Sequence, residues 1–262
     1  MKKLYPIIGI LVTIIVAVII ITVNKVNKGL RYLTVSNHYS YVYSENKKIE
    51  IPIYANSASN PLSNISNYSS IYLGSPDQSS KLQIELSKIS KNGIEHYISE
   101  DYYSFILSFE MPKLSSNFFI EHCFIKIRLQ NNTEFNFEIG KLSLYYYENV
   151  GFEEMISINS LSGMKSNEAI ISRLEEIKIE GSFNGTYQIT NIIIGSDLVV
   201  TFKEEEGCLI LKIDHQDLML SNVPIIIEYK EGNLSKRQVI DNFKYFADYD
   251  ILYQNGILVN VY

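Results

Sequence analysis

YSYVYSENKKIEIPI, residues 39–53, alternates apolar and polar positions twice: Tyr39, Tyr41 and Tyr43 in its first half, Ile49, Ile51 and Ile53 in its second. Successive side chains of a strand point to opposite faces, so this period of two predicts a pair of half-buried strands joined by a polar turn. A loop rich in Ser, Asn and Pro follows, ANSASNPLSNISNYSS, and the alternation then resumes. It recurs at Leu82, Ile84, Leu86, at Phe105, Leu107, Phe109, at Ile125, Ile127, Leu129 and at Phe135, Phe137, Ile139, closing with Leu142, Leu144 and Tyr145-Tyr146-Tyr147.

Beyond Asn149-Val150-Gly151 the same succession begins again. Ser70-Ile71-Tyr72-Leu73-Gly74-Ser75 matches Asn191-Ile192-Ile193-Ile194-Gly195-Ser196. Leu82, Ile84 and Leu86 match Leu198, Val200 and Phe202, and Phe105, Leu107 and Phe109 match Leu209, Leu211 and Ile213. Ile125, Ile127 and Leu129 match Ile225, Ile227 and Tyr229, while Ile139, Leu142 and Leu144 match Ile240, Phe243 and Tyr245. Short strands punctuated by turns, in two successive copies, predict an all-β fold of two tandem antiparallel immunoglobulin-like β-sandwich domains. Ser166–Glu176 fits a short connecting helix or another strand. Ile251–Val259, with Asn255-Gly256 at its centre, predicts a β-hairpin on a tight turn, covering a sheet edge or presenting strands to a partner.

Upstream the pattern is of another kind. Leu4–Asn24, LYPIIGILVTIIVAVIIITVN, contains no residue charged at neutral pH. At about 1.5 Å per residue it matches the roughly 30 Å of a bilayer core, and it predicts one transmembrane helix. No small-residue cleavage site follows, which favours a retained signal anchor over a cleaved secretion signal. Lys2 and Lys3 on one side and Lys25, Lys28 and Arg31 on the other leave orientation open to charge alone; the three-residue tail favours a body outside the cytoplasm. Within the span, Gly9, Thr13 and Ala17 fall at i, i+4 and i+8, a helix-packing stripe on which a second copy or a partner subunit could seat.

The partition that follows is 1–3 as cytoplasmic tail, 4–24 as anchor, 25–37 as juxtamembrane linker, 38–150 and 151–248 as sandwich repeats, and 249–262 as the terminal hairpin. Of the 23 Lys and Arg, five precede residue 32 and none of the 29 Asp and Glu does, so the body carries −11. An acidic body without clustered cations sets nucleic acid aside as a partner. Scarce Arg and Ala beside abundant Ile, Asn, Lys and Tyr are the mark of an AT-rich bacterial genome.

No catalytic signature accompanies His38, His96, His122 or His215, and all four are expected at surfaces or edges. Cys123 and Cys208 fall in different copies, which rules out an immunoglobulin-type bridge within one sandwich and favours two buried thiols over an inter-domain disulfide. Adjacent His122 and Cys123 would point to opposite faces of a strand, a poor start for a zinc site. Glu204-Glu205-Glu206-Gly207 is expected at a solvated hairpin tip, and Tyr145–Tyr147 either in the core or on a ligand-binding face. Catalytic residues, metal and cofactor are accordingly expected to be none. The function expected is that of a single-pass, membrane-anchored extracytoplasmic binding or assembly module, an accessory subunit of a membrane complex. A stand-alone surface adhesin or ligand-binding protein is the alternative, and a β-sandwich hydrolase a remote one.

Overall fold

The computed structural model describes residues 29–147, 155–165, 174–195, 198–214, 219–243, 252 and 258–262. The anchor segment 4–24, with Gly9, Thr13 and Ala17, lies outside the described residues, as do residues 166–173 and the Asn255-Gly256 turn. Among the described residues no helix is long and apolar enough to cross a membrane.

The described body is all-β. Its first half holds β1 (Tyr32–Val35), β2 (Asn37–Val42), β3 (Lys48–Ala55), β4 (Tyr68–Gly74), β5 (Lys81–Gln83), β6 (Glu85–Tyr97), β7 (Glu100–Glu110), β8 (Phe118–Leu129) and β9 (Glu134–Tyr145). Its second half holds β10 (Ile156–Lys165), β11 (Leu174–Phe183), β12 (Gln188–Ile194), β13 (Leu198–Val199), β14 (Thr201–Glu205), β15 (Cys208–Lys212), β16 (Met219–Glu231) and β17 (Leu234–Phe243). β18 (Val259–Val261) ends the chain. β1 lies inside the stretch read as linker. All four of its residues are buried, so it shows none of the alternation by which a half-buried strand is recognised.

In the first half, β1-β3-β7-β6 form one sheet and β2-β9-β8-β4-β5 run consecutively in another. They share a core in which Ile49, Ile51 and Ile53 of β3 meet Phe105, Leu107 and Phe109 of β7 and Ile125, Ile127 and Phe137 from the opposite sheet. The alternation of β3 is the one expected: its three isoleucines are at most 1% exposed, whereas Lys48 and Glu50 face solvent. Burying each isoleucine stabilises by about 1.5–3 kcal/mol. The Asn-rich loop makes two 3₁₀ turns, capped where Asn60 Oδ1 accepts from Leu62 N and Asn64 Oδ1 from Ser66 N, both at 3.0 Å.

In the second half, β10-β11-β15-β14 form one sheet, and β13-β12-β16 with β17 the other. Their common core includes Ile177, Ile179, Leu209 and Leu211 opposite Ile192, Ile225 and Ile227. Leu174–Glu176, in the stretch that fitted either helix or strand, belongs to β11. Over their described residues the matched runs begin on β4 and β12, on β5 and β13, on β7 and β15, on β8 and β16, and on β9 and β17, with Leu86 and Phe202 on β6 and β14; Ser196 and Tyr245 lie outside the described residues. Each such pair occupies corresponding places in the two strand orders.

One strand joins the halves. β2 pairs in parallel with β9 on one side and with the start of β16 on the other, with Asn37 opposite Met219 and His38 opposite Leu220. The nine-stranded sheet is therefore continuous across both halves. All six residues of β2 are buried, not the alternate ones that Tyr39 and Tyr41 suggested, because the strand is central and covered on both faces. β18 pairs antiparallel with β1, closing that edge of the first sheet; the described part of the terminal stretch thus pairs across the body.

Candidate functional site

Two constructions follow from this topology: a junction between the halves and an open groove in the first. The junction holds buried polar side chains, among them Asn37, His38, Ser40 and Ser143. His38, 5% exposed, sits on β2 with Nε2 3.3 Å from Ser143 Oγ on the neighbouring β9. Its ring lies under Gly195, where a Cβ would come within 2.7 Å of His38 Cε1 and where φ is +63°, a conformation that glycine adopts without strain. Tyr145 Oη donates to Gly195 O at 2.9 Å. Around the rim Lys47 is ion-paired with Asp241, and the Arg237 guanidinium stacks 4.9 Å from the centroid of the Tyr147 ring while its Nη2 bonds Glu228 Oε1 at 2.6 Å.

These contacts correct one expectation and decide another. His38 is buried, not at a surface or edge, because β16 and Gly195 cover β2 from the second half. The Tyr145–Tyr147 run is used within the body: Tyr145 reaches Gly195, Tyr146 packs at 5.8 Å on Tyr43, and Tyr147 carries Arg237. No local signal marks this role. The matched Gly-Ser pair singled out Gly195 as a repeat position, but its contact with His38 spans the two halves.

The groove, of about 820 Å³, lies where the two sheets of the first half separate. β5 pairs with Tyr72–Gly74 of β4 and then leaves the sheet; Ile84 N donates to Ile71 O at 3.4 Å as the chain crosses toward β6. No strand pairs with Tyr68–Ser70 on that side among the described residues. The floor is apolar, with Ile71, Leu82, Ile84 and Met111, and Glu85, Glu110 and Lys113 stand at its margin. Lys48, 3.2 Å from Glu110, holds that carboxyl below its ordinary pKa through a charge-assisted bond. The Tyr68 hydroxyl is engaged with Leu62 O at 2.7 Å, and burial raises its pKa, so it offers a face and not a reactive group.

The other chemistry-bearing residues are dispersed. Cys123 on β8 is fully buried and unbridged, its thiol pushed up to about 12 by burial. Cys208 on β15 is likewise buried and free. His96 is exposed on the β6–β7 hairpin, with Nδ1 3.0 Å from Asp101 Oδ1; His122 is exposed, and His215 lies outside the described residues. Glu206-Gly207 form the turn between β14 and β15, at an exposed hairpin tip. Among the described residues no three His, Cys, Asp or Glu side chains converge as metal ligands.

No family model and no curated protein matches this chain. Solved structures similar to it include the titin immunoglobulin tandem domains A164-A165, at 8% identity over 81% of this chain and 96% of that one, with a TM-score of 0.22. A marsupial T cell receptor aligns at 10% identity over 80% and 99%, TM-score 0.23. Fibronectin(III)-like modules of Clostridium thermocellum CbhA align at 9% over 83% and 99%, TM-score 0.20. At such scores the likeness carries no weight, and the fold rests on the strand pairing.

Proposed function

We propose that the chain is a membrane-anchored binding and assembly module, its body outside the cytoplasm and its single helix the route to a partner. The body is read as two immunoglobulin-like sandwiches in tandem. β1-β3-β7-β6 and β10-β11-β15-β14 both follow the A-B-E-D order, and β9-β8-β4-β5 and β17-β16-β12-β13 both follow G-F-C-C′. The observation that carries the reading is the continuous sheet: the β2–β16 pairing holds two sandwiches as one body, giving fixed spacing to whatever surfaces they present. The uncharged stretch Leu4–Asn24 supplies the anchor, and Gly9, Thr13 and Ala17 the face for helix association.

Co-purification from native membranes in mild detergent tests this, comparing the wild-type chain with a Gly9→Leu, Ala17→Leu variant. A defined membrane partner that is lost from the variant is the expected result. Elution of both proteins without any partner refutes the accessory-subunit reading. The groove favours a second reading, a ligand-binding protein for which the anchor is only a tether, because its apolar floor and charged margin suit an extended peptide or glycan. On that reading a soluble fragment from Gly29 keeps all binding, and Leu82→Glu in the groove abolishes it.

A further inference from the structure

The outer face of β4 gathers two lysines on one aromatic ring. Tyr72 stands directly opposite Lys126 of β8 and Gln83 of β5, so these three side chains share the face turned away from the core, and Lys81, two residues before Gln83, shares it too. The Lys81 ammonium lies 3.9 Å from the centroid of the Tyr72 ring, and that of Lys126 lies 5.7 Å from it. Both are within the range of about 6 Å over which a ring face attracts a cation. The Cδ2–Cε2 edge of the same ring borders Gly74, 3.7 and 3.8 Å from where a Cβ would stand.

Among the described residues neither ammonium meets a carboxylate. Of the acids on the neighbouring stretches, Glu134 is paired with Arg128 at 3.6 Å, Asp77 accepts bonds from Ser75 and Ser79, and Glu138 stands opposite Phe124. Two strand spacings, about 10 Å in all, separate β5 from β8, so the two charges act together within roughly one Debye length at physiological salt. They do so on a body that is otherwise acidic, at −11. An anion is therefore attracted to this face by local charge and not by the charge of the whole body. Gln83 and Asn136, exposed on the same face with Asn136 opposite Lys126, add neutral donors and acceptors.

We propose that Lys81 and Lys126, held on Tyr72, form a binding site for an acidic polysaccharide, one that carries sulfate or carboxylate groups on its sugars. The site lies on the outer face of this sheet, beside the groove that opens between the sheets, with Gln83 at their common margin, and it goes beyond both readings of the function. Protein interfaces centre on apolar and aromatic anchors and are poor in lysine. None of the exposed large apolar side chains lies on Tyr68–Gly74, on Lys81–Gln83, or on residues 124–128 and 134–136. Single-stranded nucleic acid stacks its bases on open aromatic rings, and here Lys81 already occupies the ring. A sugar chain matches what is left: its anionic substituents suit the two ammonium groups, and its hydroxyls suit the amides of Gln83 and Asn136.

The test uses the full chain in detergent, on a background of Lys25→Gln and Lys28→Gln that removes the basic flank as a competing site. Dextran sulfate is the probe, with uncharged dextran beside it. A Lys81→Gln, Lys126→Gln variant is compared with Lys88→Gln, Lys91→Gln, a pair exposed on β6 whose loss changes the net charge equally. At least tenfold weaker binding of dextran sulfate by the first variant and less than twofold by the second is the expected result, with no binding of dextran by either. No binding of dextran sulfate by the background protein, or equal weakening in the two variants, overturns the proposal. Tyr72→Leu, which keeps a bulky side chain but no ring face, should weaken binding at least threefold, and unchanged binding overturns the role given to the ring. Poly-glutamate and single-stranded DNA separate the sources of negative charge. Either of them, bound as tightly as dextran sulfate and lost in the Lys81→Gln, Lys126→Gln variant, overturns the assignment to a polysaccharide.

Discussion

Replacing Gly195 by Ala tests the junction directly. Two penalties add at this position. An L-residue at φ +63° costs about 1–2 kcal/mol, and the new Cβ would stand 2.7 Å from His38 Cε1 and 3.2 Å from Nδ1. His38 is 5% exposed and near Ser143 Oγ, so relief requires displacing a packed ring, which typically costs a further 1–3 kcal/mol or so. Gly232→Ala is the control, because Gly232 has nearly the same φ, +59°, with nothing within 4 Å of a built Cβ. Subtracting the two variants leaves the contact between the halves, expected at about 1–3 kcal/mol. In urea, with a slope of about 2 kcal/mol/M, Gly195→Ala should unfold roughly 0.5–1.5 M earlier than Gly232→Ala. Amide exchange of Asn37–Val42 should accelerate in Gly195→Ala alone. Equal midpoints for the two variants would show that the second half does not press on His38, and the junction argument would fall.

Three further outcomes are expected. Tyr145→Phe removes the bond to Gly195 O and should destabilise by about 1 kcal/mol, with a double-mutant cycle against Gly195→Ala showing coupling; strict additivity would count against the contact. Burial raises the Cys123 thiol to about 12, so a thiol reagent at pH 8 should leave Cys123 unmodified in the folded chain and label it only in denaturant. Asp77, in the β4–β5 turn, accepts from Ser75 Oγ at 2.5 Å, Ser79 Oγ at 2.9 Å and Ser79 N at 3.1 Å, which lowers its pKa to about 2. The folded value lies below the unfolded one, so its stabilising effect is present above about pH 4 and is lost as pH falls toward 2. A carboxyl resonance for Asp77 that titrates near 4 would contradict those bonds.

The strand content was legible because period-two alternation is a property of neighbouring residues: Ile49, Ile51 and Ile53 point inward because successive Cβ atoms alternate, whatever lies opposite. β1 was illegible for the converse reason. Leu33 and Val35 turn away from the main core, yet they are buried, because Leu252 and β18 cover them from more than two hundred residues away. The Tyr145–Tyr147 run was legible as an aromatic stretch suited to core or to a binding face, but not by destination, since its partners are Gly195 O, Tyr43 and Arg237.

By itself, then, the sequence determined an all-β body, the positions of most of its strands, the matched order of the runs in its two halves, and an uncharged N-terminal stretch long enough to span a bilayer. Each of these is written in local spacing or composition. Only the tertiary structure decided that β2 lies between β9 and β16, that His38 is sealed beneath Gly195, and that the terminal strand completes the edge of β1. Those pairings join segments distant in the chain through backbone groups that every residue carries, so no local pattern of side chains specifies them.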